Sequence, residues 1–87
     1  MSRLEIIHLR SAGELLDSLS TRITESIPAG SETVTLYRRE GLDTDLVVLL
    51  VQGDDPGREG PSDLGLQLAS ALKAFGLVEH TLWKEIR

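Results

Sequence analysis

The 87-residue sequence has no cysteine, no asparagine and only three aromatic residues, Tyr37, Phe75 and Trp83. Without cysteine there is no disulfide frame, no thiolate metal site and no thiol nucleophile. Three aromatics are too few for the platforms on which nucleic-acid-binding domains stack bases. Positive charge is scarce as well: nine Lys and Arg stand against fourteen Asp and Glu, a formal net charge of −5. Neutralising phosphates takes clustered Lys and Arg, so neither nucleic acid nor an anionic membrane is an expected partner. Arg38 and Arg39 are the one adjacent basic pair and read as a solvated strand end. Long apolar runs are missing too. Leu46 to Val51, six residues, is the longest, whereas a membrane-spanning helix needs about 20. Met1 to Arg10 holds no apolar stretch of signal-peptide length. The expectation is a soluble cytoplasmic protein made of one domain, residues 1–87.

What is present is strongly patterned. Leu4 to Leu9 reads as a strand that is apolar on both faces. Ser11 with Glu14 has the spacing of a capping box, in which the hydroxyl and the carboxylate satisfy orphan amides at a helix start. Leu15, Leu16, Leu19, Ile23 and Ile27 then trace one helical stripe that Pro28 and Gly30 end. Thr33 to Arg38 alternates as a half-wet strand with Val34 and Leu36 inward, and Gly41 marks a turn. Leu46 to Val51 is apolar at every position, which predicts a central strand covered on both faces. A segment rich in glycine, proline and acid runs from Gly53 to Pro61. Its spacing matches neither a calcium loop nor a phosphate-binding loop, so it reads as a solvated connection. Ser62 and Asp63 cap a second helix with Leu64, Leu68, Ala71, Leu72 and Phe75 as its buried stripe. Gly76 sits where a left-handed C-terminal residue is expected, and a last strand is predicted over Val78 to Ile86.

The order strand, helix, strand, strand, helix, strand resembles the ferredoxin-like βαββαβ superfold over nearly the whole chain. The resemblance implies an α+β sandwich: a four-stranded antiparallel sheet, central first and third strands, and two helices on one face. Half of the side chains of Leu46 to Val51 then point away from the helices, as does Ile6 or Ile7. A contiguous apolar face usually marks an interface, and two-fold pairing is the commonest way to cover one. A homodimer through the open sheet face is therefore the expected partner relation.

Within this superfold, Leu9-Arg10-Ser11-Ala12-Gly13-Glu14-Leu15-Leu16 is similar to the loop that opens the first helix of small regulatory amino-acid-binding (ACT) domains. That resemblance implies a small-molecule effector held near Ser11 and Gly13. Dimeric α/β-barrel proteins, among them small cofactor-free oxygenases, are similar in pairing through the open sheet face. The absence of cysteine and asparagine counts against the metal-carrying and acylphosphatase members, and aromatic-free central strands count against the RNA-recognition members.

His8 and His80 are the two histidines, and they fall on the first and last strands, which are neighbours in this fold. An antiparallel register that set them opposite one another, with Glu5 or Glu79 nearby, would make a zinc or proton-shuttling site; two ordinary structural histidines are the simpler reading. Trp83 reads as a residue of the sheet edge or dimer interface. No Ser-His-acid signature is present, so no catalytic residue, metal ligand or cofactor is assigned. The candidate ligand-contacting residues are His8, Ser11, Gly13, His80 and Trp83. The leading expectation is a non-enzymatic binding or regulatory module. The alternative is an enzyme or ligand carrier of the dimeric barrel type, with a cavity near His8, His80 and Trp83.

Overall fold

A computed structural model describes residues 3–11, 16–27, 34–41, 44–52 and 60–87. Its elements, in chain order, are β1 (Arg3–Ser11), α1 (Leu16–Ser26), β2 (Val34–Arg38), β3 (Asp45–Gln52), α2 (Asp63–Leu72) and β4 (Gly76–Lys84). The strands form one antiparallel sheet in the order β2-β3-β1-β4. With two helices, this is the ferredoxin-like βαββαβ arrangement of the α+β class. The apolar strands β1 and β3 lie at its centre, because only central strands can surround such side chains with neighbours on both sides.

The pleat sorts the central strands into two faces. Ile7 and Leu9 lie opposite Val48 and Leu46, and all four are buried beneath the helices. Leu50 continues that layer, Leu19 and Ile23 enter it from α1, and Leu68, Ala69 and Leu72 enter from α2. Ile27, Val34, Leu36, Leu64, Phe75 and Val78 pack around its rim. Each large side chain so buried contributes roughly 1.5–3 kcal/mol. Of the stripe predicted for the first helix, Leu19, Ile23 and Ile27 face the core, and Leu15 lies outside the described residues. The opposite side of α1 is polar, with Thr21 and Thr24 hydroxyls donating to the Asp17 and Ser20 carbonyls.

Ser62 caps α2 as predicted, its Oγ accepting from the Gly65 amide at 3.0 Å. The buried face of that helix differs at one position: Ala71 is exposed and Ala69 is buried. The cause is Gly65, which shares a face with Leu68, Ala69 and Leu72 and is pressed against the sheet. Gly76 also departs from expectation. The helix ends at Lys73 in right-handed geometry, and Gly76 instead opens β4 opposite Ser11. A Cβ on Gly76 would lie 2.1 Å from the Arg10 carbonyl oxygen, so glycine serves a close strand approach. Gly41, by contrast, takes φ of +84° in the β2–β3 turn, the freedom expected of it. Among the described residues no helix is long and apolar enough to cross a membrane.

Candidate functional site

The alternation that buries Ile7 and Leu9 sends Leu4, Ile6, His8 and Arg10 to the sheet face without helices. β3 adds Asp45, Val47, Leu49 and Val51 to that face, β2 adds Thr35 and Tyr37, and β4 adds Leu77, Glu79, Thr81 and Trp83. Tyr37, Val51, Leu77 and Trp83 are exposed there, and Leu4, Ile6, Val47 and Leu49 are half-buried. The Trp83 indole N–H donates to Thr81 Oγ1 at 2.8 Å, leaving the ring on the surface of the edge strand.

One end of this face carries charge. Asp45, the first residue of β3, is 2% exposed, and its carboxylate gathers donors from three strands or their ends. His8 Nε2 lies 2.9 Å from Oδ2, Arg39 Nη1 3.3 Å from Oδ2, and the Thr44 hydroxyl 2.9 Å from Oδ1. Arg10 Nε approaches Oδ1 to 4.0 Å. The His8 and Thr44 hydrogen bonds, helped by Arg39, hold the Asp45 carboxyl below its ordinary value against the opposing effect of burial. Asp45 is therefore an anion at neutral pH that fixes the His8 ring. An imidazole oriented by a buried carboxylate can accept or relay a proton. Beside it, a groove of about 190 Å³ is lined by His8, Arg10, Leu77, Val78 and Glu79.

The helix-covered face carries a second His–carboxylate pair. Glu5 is 1% exposed, with His80 Nε2 2.7 Å from Oε2. Gln52 Nε2 and the Ser62 backbone amide both donate to Oε1. The carboxylate thus lies under the first turn of α2, where free amides and the helix dipole favour a negative charge. Gly65 makes the space: a Cβ there would lie 1.6 Å from Glu5 Oε2. This cluster is a packed, saturated structural joint.

The register answers whether the two histidines meet. His80 pairs with Ile7, and His8 pairs with Glu79, so the imidazoles lie on opposite faces of the sheet. They cannot share a metal ion, and the described residues contain no group of three or more His, Asp or Glu placed to hold one. His8 lines the groove; His80 and Trp83 do not. Ser11, expected at a helix cap, is instead the last residue of β1, its amide donating to the Thr44 carbonyl at 2.7 Å. Strand pairing with Gly76 holds it in the sheet, and its buried hydroxyl has no hydrogen-bond partner among the described residues. Gly13 and Glu14 lie outside the described residues. Sequence reasoning gave no role to Asp45, which lies between the predicted turn and the strand Leu46 to Val51, or to Gln52 as a partner of Glu5; both partnerships depend on strand register. No family model matches the chain, and neither a curated protein nor a solved structure matches it.

Proposed function

We propose that the protein is a small binding module that works as a homodimer, two copies packing their open sheet faces together about a two-fold axis. The observation that carries this reading is the apolar face around Ile6, Val47, Leu49, Val51, Tyr37 and Trp83, which neither of the described helices covers. Each large apolar side chain left in water forgoes roughly 1.5–3 kcal/mol of burial. A second copy offers the same surface and is present wherever the first is, which makes self-pairing the simplest cover. The cluster around Asp45 would then lie at the rim of the interface, close to the β1–β4 groove. As part of this reading the protein acts in the cytoplasm, in keeping with a sequence whose longest apolar run is six residues.

The enzyme or carrier reading draws support from one observation, the orientation of His8 by Asp45 beside a groove. Against it, the groove lacks His80 and Trp83 and is small for a substrate cavity, which commonly holds roughly 300–1,000 Å³. Sedimentation equilibrium at tens of micromolar tests the dimer. The expected result is twice the 9.5 kDa of one chain, and Leu49→Glu should return the single-chain mass. A wild-type chain that sediments only as a monomer overturns the proposal.

A further inference from the structure

We infer that the groove beside His8 binds a small aliphatic monocarboxylate, with Arg10 taking the carboxylate and Leu77 the hydrocarbon tail. The inference rests on the binding-module reading and gives it a ligand class. The chain as a whole is acidic, at −5, yet two guanidinium groups and an imidazole converge on the single carboxylate of Asp45. Counting Glu79 across the groove, two guanidinium charges face two carboxylates, so the pull on an anion comes from the placement of Arg10 and not from net charge. Arg10 is only loosely engaged. Its Nε stands 4.0 Å from Asp45, beyond hydrogen-bond distance, and its side chain is 63% exposed. A guanidinium in that state keeps its terminal N–H groups for a planar, two-oxygen partner.

The other walls narrow the class. Leu77 sits opposite Arg10 on β4 and is 74% exposed, an apolar surface beside the cation. Glu79 pairs opposite His8 in the same groove, and its side chain makes no hydrogen bond or ion pair among the described residues. Its negative charge disfavours a second charge on the ligand, so a monoanion suits the site better than a phosphate dianion. The volume of about 190 Å³ has room for a short fatty acid such as butyrate.

Because the chain has only two histidines, their ring protons give a direct NMR readout. Wild-type protein is titrated with butyrate, butyramide or inorganic phosphate at fixed ionic strength and pH. Butyrate should move the His8 ring signals saturably while those of His80, on the other sheet face, stay in place. Butyramide, the neutral isostere, should bind at least about tenfold more weakly, the loss expected for a charge-assisted contact. Arg10→Gln should lose the butyrate response, with unchanged His80 signals reporting an intact fold. The inference is overturned by a His8 signal that ignores butyrate, by an equal response to butyramide or phosphate, or by an undiminished response in Arg10→Gln. Sedimentation of the same samples separates the two proposals. A monomer whose His8 still responds keeps the site and overturns the dimer; a dimer without that response does the reverse.

Discussion

Glu5 Oε2 lies 2.7 Å from His80 Nε2, joining residues 75 positions apart in the chain. The contact ties the first strand to the last, and the same carboxylate reaches the Ser62 amide at the start of α2 and Gln52 at the end of β3. Four elements, β1, β3, β4 and the start of α2, are therefore joined through one buried carboxyl group. Removing it leaves the partly buried donors of His80, Gln52 and Ser62 without their acceptor. Glu5→Ala should lower the unfolding free energy by about 3 kcal/mol in urea titrations. A loss below 1 kcal/mol, about the net worth of one ordinary hydrogen bond, would show that the cluster is not a structural joint.

Gly65 is the counterpart of Glu5. In a helix Gly→Ala ordinarily gains up to about 1 kcal/mol, less in the first turn, where Gly65 lies. Here the new methyl would occupy the position of Glu5 Oε2 and push the carboxylate off its donors. That loss outweighs the helix propensity, and Gly65→Ala should destabilise by about 1–3 kcal/mol. In the Glu5→Ala background only the tight approach to Ser62 Oγ at 3.0 Å remains, so the same substitution should cost much less. A double-mutant cycle measures the difference.

Asp45 makes stability depend on pH with a definite sign. Its carboxyl titrates below the ordinary 3.8, chiefly through the hydrogen bonds from His8 and Thr44. A group depressed in the native state stabilises at pH values above its unfolded value and loses that contribution as pH falls through the native one. Wild type should therefore exceed Asp45→Asn in stability near neutral pH. The gap should close as pH drops from about 4 downward. Urea midpoints of both proteins across that range provide the check, and a gap that widens toward acid contradicts the assignment.

Gly76 controls the β1–β4 ladder. An added Cβ would meet the Arg10 carbonyl at 2.1 Å and Ser11 Cα at 2.8 Å, both backbone atoms that cannot swing aside. Gly76→Ala should cost about 2 kcal/mol. It should also lower hydrogen-exchange protection first in the amides that pair Arg10 and Ser11 with Leu77 and Gly76.

The architecture was readable where local pattern and fold demand the same thing. Leu46 to Val51 can only be a central strand, and Ser62 followed by a leucine-rich stripe can only open a helix against it. Reading failed where a residue answers to a partner far along the chain. Ser11 has the local signature of a helix cap, yet pairing with Gly76 keeps it in β1. Gly76 follows a helix as a left-handed terminator would, but its conformation is set by the Arg10 carbonyl. The site was legible in the same measure. His8 was identified from the sequence, but its partner Asp45 was not, because Asp45 lies between the predicted turn and the strand Leu46 to Val51. The question of whether His8 and His80 meet turned on a single residue of register, which alternation alone does not define.

The dimer through the open face is the central claim, and isotope-filtered NOE spectroscopy on a mixture of labelled and unlabelled chains tests it most directly. The prediction is intermolecular contacts among the methyl groups of Ile6, Val47 and Leu49, with none from the core residues Leu68 and Leu72. Intermolecular contacts confined to the β4 edge, or none at all at millimolar concentration, would contradict it.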